Sequence, residues 1–235
     1  MNSRSAGLDL VKWVAILSML GDHLRYLWPM ADGLFIPGRL AFPLFCLVMA
    51  CHVRRSPRAA LHSHGNARYL CWMVAFCVFS EPPYRWLDSE SQTFSIMPTL
   101  TLGLLSAWGV HHAGTAARLT GLLAVLAATW ASPVLMYGLP GVLLPAAWLQ
   151  ALGRGGLAWL LPCSLAVGAN LTNSWLSAHP FEPIALLILS MAALAIPLGL
   201  WLLRHDHLHV WPVGRWAYGF YPLHLAALGW WRGLG

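Results

Sequence analysis

The sequence predicts an all-α, polytopic bundle of about nine membrane-spanning helices, and three observations predict it. Hydrophobic residues make up 58% of the chain and charged residues only 9%, where an ordinary soluble domain carries about 25% charged residues. The mean hydropathy is +0.61. Apolar runs recur along the whole length, punctuated by Gly, Pro and polar clusters, and a span needs about 20 mainly apolar residues.

In chain order the spans fall near residues 8–27, 34–51, 68–87, 94–110, 117–137, 139–153, 156–172, 183–203 and 211–231. The first has seven residues ahead of it and no small-residue cleavage site behind its apolar core, so it reads as a retained helix rather than a signal peptide. The second opens on Gly38-Arg39 and carries Pro43, which frees a mid-helix carbonyl; a bundle tolerates this where the kink is covered or lines a cavity. The third breaks at its outer end at Glu81-Pro82-Pro83. Gly138, Pro140, Pro145 and the Gly153 to Gly156 turn interrupt the sixth and seventh, for which a re-entrant pair is the alternative. With no long linker, low-complexity tract or internal repeat, residues 1–235 read as a single domain. The five cysteines are odd in number, lack a CxxC and lie mostly in apolar runs, which suits packing better than a disulfide framework.

Orientation follows from the arginines. Arg54, Arg55, Arg58 and Arg68 cluster between spans two and three, and Arg4, Arg118, Arg154, Arg204 and Arg215 land on the same side of a nine-span chain. That side is expected to be cytoplasmic, with the N-terminus inside and the C-terminus outside. The net charge of +6 is then a topology signal, and no nucleic-acid partner is expected.

The first span carries the strongest functional signal. Lys12, Asp22 and His23 lie within an otherwise apolar run, and an ionisable group at a helix centre costs at least about 2.5 kcal/mol on insertion scales, so such groups pair or work. At about 100° per residue, the eleven steps from Lys12 to His23 return to within roughly 20° of one direction while climbing roughly 16 Å. Ile16 and Met19 complete that stripe, and Asp22 points about a quarter turn away. Arg39 enters at the membrane level of Asp22, so an Asp22–Arg39 pair is geometrically natural and would hold His23 in place. Simple snorkelling of Arg39 to the interface is the competing reading.

The run Leu8-Asp9-Leu10-Val11-Lys12-Trp13-Val14-Ala15, then Asp22-His23, then Gly38-Arg39-Leu40-Ala41-Phe42-Pro43-Leu44-Phe45 resembles the TraX family, membrane proteins linked to N-terminal acetylation of conjugative pilin. Tyr218-Gly-Phe-Tyr221-Pro222-Leu223-His224-Leu225 is similar to the segment with which that family closes. Between these ends the likeness rests on hydropathy and on Thr99-Leu-Thr-Leu-Gly103-Leu. Lys12 and His23 also resemble the spaced basic residue and histidine of the wider integral-membrane acyltransferases.

The resemblance implies a membrane acetyltransferase that takes its acetyl group from cytosolic acetyl-CoA and passes it to the N-terminal amine of a pilin-like subunit. Such a transfer needs a base, an oxyanion donor and held substrates. His23 suits the base, since an imidazole near pKa 6.5 and a free α-amine at about 7.7–8.0 are closely matched. Asp22 and Arg39 would support it. Lys12 would contact the pantetheine arm or the thioester oxygen, and Arg54, Arg55, Arg58 and Arg68 the phosphates of the nucleotide end, unless those arginines serve only positive-inside sorting. Tyr221 and His224, one turn apart on the last span, and Glu81 are additional candidates; His224 as an inter-helix hydrogen-bond partner and Glu81 as a helix cap are the structural alternatives. His205, Asp206, His207 and His209 read as a solvated turn rather than a metal site, and no metal is expected. His52, His62, His64, His111 and His112 read as loop or interfacial residues, and the tryptophans near span ends as aromatic-belt anchors.

Other functions remain open at this point. A sugar O-acetyltransferase of an envelope glycan is the near alternative. A proton-coupled transporter would also keep Asp, His and Lys in its core but would normally show paired halves. A non-enzymatic pilus assembly factor would explain the short loops but not the buried ionisable stripe.

Overall fold

The computed structural model describes residues 5–214 and 216–233, so Arg4 and Arg215 of the expected arginine-rich side lie outside the described residues. All regular structure among the described residues is helical: α1 (Ala6–Leu24), α2 (Phe35–Gly38), α3 (Ala41–Arg55), α4 (His64–Leu87), α5 (Ile96–His111), α6 (Thr115–Ala131), α7 (Gly138–Arg154), α8 (Leu160–Asn170), α9 (Ser174–Ala178), α10 (Pro183–Leu203) and α11 (Trp216–Arg232). Every expected span contains one of these helices. By length and composition, three helical stretches among the described residues are apolar and long enough to cross a membrane: Met30–Arg55, Thr115–Val134 and Pro183–Leu203. Helices α5, α7 and α11 have 16, 17 and 17 residues, short of the roughly 20 that a full span takes.

Helix α7 is the hub, packing on α3, α5, α6 and α8. Its Trp148 is fully buried and donates Nε1–H to the Pro43 carbonyl at 3.0 Å, so the indole satisfies a main-chain acceptor that α3 presents inside the bundle. Pro145 lies within α7 without ending it, because a proline removes only one donor and neighbouring helices cover the gap. Helix α6 is the opposite case: Leu119, Leu122, Leu123, Leu126 and Trp130 are exposed along it, the arrangement expected of a helix whose outer face meets acyl chains. It approaches α5 closely where Gly109 and Gly121 meet, since a Cβ on Gly109 would stand 2.6 Å from the Gly121 Cα.

Two sequence expectations change here. Helix α4 does not break at Pro82-Pro83 but runs on to Leu87. Glu81 and Arg85 pair at 2.8 Å across the proline turn, and Glu81 Oε2 accepts the Ser95 backbone N–H at 2.9 Å. These contacts tie the helix on both sides of the prolines and to the start of α5, although the prolines themselves donate no backbone hydrogen bond. The second segment is divided, a 3-10 turn over Pro29–Leu34 leading into α2 and then, past Arg39 and Leu40, into α3. This jog carries Arg39 onto α1. Gly38 permits it, because a Cβ there would lie 2.6 Å from the Asp22 Cβ.

Helices α4 and α11 pack closely, with Trp86 and Trp230 edge to face at 6.3 Å, whereas α1 and α11 touch only briefly. The space left between α1 and α11 holds the site.

Candidate active site

The Lys12 to His23 stripe faces inward. Ile16 is 4% exposed while Leu17, the next residue round α1, is 59% exposed. Lys12, Ile16, Met19 and His23 all border one inner cavity of about 400 Å³, closed by α3, α4, α5 and α11. Five of the eight methionines, Met19, Met49, Met73, Met97 and Met136, line it, so its wall is unbranched and adaptable. A second, outer cavity of about 260 Å³ lies at the other end of α1 between the C-terminal ends of α1, α4 and α8. Asp22, His23, Met136 and Tyr137 border both cavities and form the partition between them.

His23 is oriented by a residue 201 positions away. Its Nδ1 lies 2.7 Å from His224 Nε2, and His224 Nδ1 lies 2.8 Å from the Phe220 carbonyl. A carbonyl only accepts, so a neutral His224 carries its proton on Nδ1 and offers a lone pair at Nε2. His23 must then donate from Nδ1, which leaves its own lone pair on Nε2, with no protein partner among the described residues. A base with a fixed tautomer, on a side chain that touches both cavities, is the result.

Beside it, the expected Asp22–Arg39 pair forms at 2.6 Å. Arg39 is 8% exposed and also donates to the Phe35 carbonyl and the Tyr137 hydroxyl, with its guanidinium 4.0 Å above the Phe35 ring. Arg25 takes the other Asp22 oxygen at 3.2 Å. Both donors hold the carboxylate, so Asp22 supports the site electrostatically and does not bond the neighbouring imidazole. Tyr221 borders the inner cavity with its ring 6.5 Å from His23.

Residues 7–232 match the family described as TraX protein. The chain belongs to the TraX family. The matched region contains each of the side chains just described, from Lys12 to His224. Protein TraX of Escherichia coli is 27% identical over 231 residues, which cover 94% of this chain and 85% of that protein. The probable fimbrial assembly protein FimC, serogroup H1, of Dichelobacter nodosus is 30% identical over 113 residues, covering 41% of this chain and 43% of that protein. The chain thus aligns with less than half of the FimC protein's length. No solved structure matches.

The inner end of this TraX-family site is more tightly tied than the sequence suggested. Lys12 Nζ pairs with Asp9 at 3.1 Å and donates to the Val213 carbonyl at 3.1 Å. Asp206 accepts from Ser5 Oγ and the Gly7 N–H at 2.7 and 2.9 Å, and these donors hold its carboxyl below the usual carboxylate range. The strap before α11 is therefore stapled to the start of α1, and its Val213 and Gly214 border the inner cavity. His52 borders that cavity too; it stands exposed in the last turn of α3, on one face with Phe45 and Met49, and so is a helix residue rather than a loop one.

The arginine cluster divides. Arg55 lies in the last turn of α3, exposed, three residues on from His52, and borders none of the three cavities. Arg54 and Arg58 border a separate cavity of about 570 Å³ with Arg154. Arg68 is exposed on α4, and neither it nor Glu81 borders any of these cavities.

Sequence reasoning missed the His23–His224 bond, the Asp9–Lys12 pair and the methionine wall. The alternation of Asp9 and Lys12 at i and i+3 was a readable signal for the second; for the other two only the fold brings the partners together.

Proposed function

We propose that this TraX-family protein is a membrane-embedded acetyltransferase of the bacterial cytoplasmic membrane. It moves an acetyl group from cytosolic acetyl-CoA to the N-terminal amine of a pilin-like subunit. In this reading the chain crosses the bilayer about nine times, with the Lys12 end cytoplasmic and the outer cavity facing the opposite compartment. The observation that carries the proposal is His23 standing in the partition between two cavities, its Nδ1 committed and its Nε2 lone pair unspent.

The chemistry follows from that placement. The roughly 16 Å between Lys12 and His23 is about half of the ~30 Å hydrocarbon core, so an extended pantetheine arm in the inner cavity brings a thioester from the cytoplasmic mouth to the partition. In this reading Arg55, one turn from the cavity-lining His52 on α3, contacts a phosphate of the nucleotide end. The same 16 Å removes Lys12 from the oxyanion, leaving it to contact the arm and hold the strap. The acceptor nitrogen attacks the thioester carbon, its proton passes to His23 Nε2, and the C–S bond breaks to release the CoA thiolate, which takes that proton back. Tyr221 O–H is at the right level to donate to the developing oxyanion.

The test is acetyl transfer to the pilin from labelled acetyl-CoA in membranes of a deletion host complemented with wild type or His23→Ala. The variant should reach the membrane in wild-type amount and lose about 10²–10⁴-fold in rate. Undiminished acetylation by His23→Ala would defeat the mechanism.

A further inference from the structure

We infer that the outer cavity is the acceptor subsite and that it grips the end of an extended peptide through main-chain N–H groups, with Asn170 as the recognising acceptor and Asp88 as a second. This rests on the acetyltransferase reading and specifies which chemistry the site accepts. At about 260 Å³ the cavity falls below the roughly 300–1,000 Å³ of pockets that enclose drug-sized ligands, so it admits a chain end and little more. It shares His23 with the inner cavity.

Its polar wall is unevenly committed. Asp22 is spent on Arg39 and Arg25. Asp88 accepts the Tyr26 hydroxyl at 2.9 Å but has no cation within ion-pair distance among the described residues, and so retains acceptor capacity. Asn170 is 2% exposed, and its Nδ2 donates to the Ala166 carbonyl at 2.9 Å. Its Oδ1 is left without a hydrogen-bond partner. The other unpaired buried side-chain oxygens, of Ser80, Ser95 and Thr99, are hydroxyls; Asn170 alone among them presents a pure acceptor, and it borders the outer cavity. Leaving such a group unmet is costly, and the broad terminal torsion of asparagine lets its oxygen turn to a donor entering the cavity. Asp88 at the end of α4 and Asn170 at the end of α8 thus offer acceptors from two helices. An extended peptide supplies a donor about every 3.3–3.6 Å from its terminal amine, which suits two separated acceptors with the amine at His23.

Trialanine amide is the probe, because contacts to the main chain need no particular side chain, and an analogue N-methylated at the second residue removes one donor. Both are offered with acetyl-CoA to wild type, Asn170→Leu and Asn170→Asp in proteoliposomes, beside methyl N-acetylglucosaminide as a hydroxyl acceptor. Wild type should acetylate trialanine amide and show a KM about 3- to 10-fold higher for the methylated peptide. Asn170→Leu should raise KM for the unmethylated peptide by a similar factor and no longer distinguish the two, with kcat nearly unchanged, while Asn170→Asp keeps an acceptor oxygen and most of the preference. Equal KM values for the two peptides on wild type overturn the inference without needing any variant. So do independent effects of methylation and Asn170→Leu, or acetylation of the sugar in place of the peptide. If wild type transfers acetyl from acetyl-CoA to neither the peptides nor the sugar, the acetyltransferase reading falls first and takes this inference with it.

Discussion

Arg39 and Asp22 are unequal partners, and the inequality predicts which of them the protein can better spare. Asp22 is held by two guanidiniums, from Arg39 at 2.6 Å and Arg25 at 3.2 Å. Arg39 meets only one carboxylate among the described residues, and as an arginine it stays charged when that partner is removed. Breaking a buried pair from one side costs about 3–5 kcal/mol, because the remaining charge is uncompensated. Arg39→Met leaves Asp22 with Arg25 and should fall at the low end, about 3 kcal/mol. Asp22→Asn leaves Arg39 with only the Phe35 carbonyl and the Tyr137 hydroxyl and should cost about 4–5 kcal/mol. The double variant removes both charges together and should cost less than the sum of the two by at least about 1.5 kcal/mol. Equilibrium unfolding by SDS titration in mixed micelles, at matched protein concentration, measures all three. Additive losses, or an Arg39→Met variant less stable than Asp22→Asn, would refute the reasoning.

Three further outcomes follow from the same geometry. His224→Phe should lower kcat for acetyl transfer about 10- to 100-fold and alter its pH profile, because His23 Nδ1–H loses its acceptor, while His224→Gln, which retains an acceptor oxygen, should recover part of the rate. Gly38→Ala should destabilise the protein by about 1–3 kcal/mol in the same SDS titration, since the added Cβ at 2.6 Å from the Asp22 Cβ must push α2 off α1. The Asp206 staple should survive mild acid: its folded-state pKa is lowered by the Ser5 and Gly7 donors, so its contribution is full above the ordinary value near 3.9 and is lost as pH falls through the lower folded value. Pepsin cleavage within residues 205–214 should accordingly rise only at the acid end of its range in wild type and be raised throughout in Asp206→Ala.

How much of this was readable in advance depends on whether the signal was local. The inward stripe of α1 was legible because a helix repeats its direction every 3.6 residues whatever surrounds it, and the Asp22–Arg39 pair because both residues had to sit at one membrane level. His224 as the partner of His23 was not legible: 201 residues separate them, and nothing in the spacing of either segment says which helix will face which. The arginine cluster was read as one group, yet α3 divides it. His52 and Arg55 are three residues apart and share a face, whereas Arg54 lies two residues from His52 and points away from the inner cavity. Glu81-Pro82-Pro83 misled because proline is a strong local breaker, while the contacts that carry α4 onward come from Arg85 and the start of α5.

In the proposed acetyltransferase a site between two compartments would have to let its substrates meet without becoming a pore, and the partition would let one set of residues serve both needs. Met136 and Tyr137 enter it from the turn before α7, Asp22 and His23 from α1. The Phe42 and Tyr137 rings stack at 4.0 Å, and Arg39 reaches the Tyr137 hydroxyl. The ion pair is therefore braced, through the Tyr137 hydroxyl, against a ring stack between α3 and the turn before α7, so the charges beside His23 also support the partition. On that reading the arms of both substrates end at this wall, and only their reacting atoms share the space beside His23. That requirement ties the rigidity of the wall to the chemistry: closing it tighter excludes the acceptor amine, and loosening it admits water as a competing nucleophile.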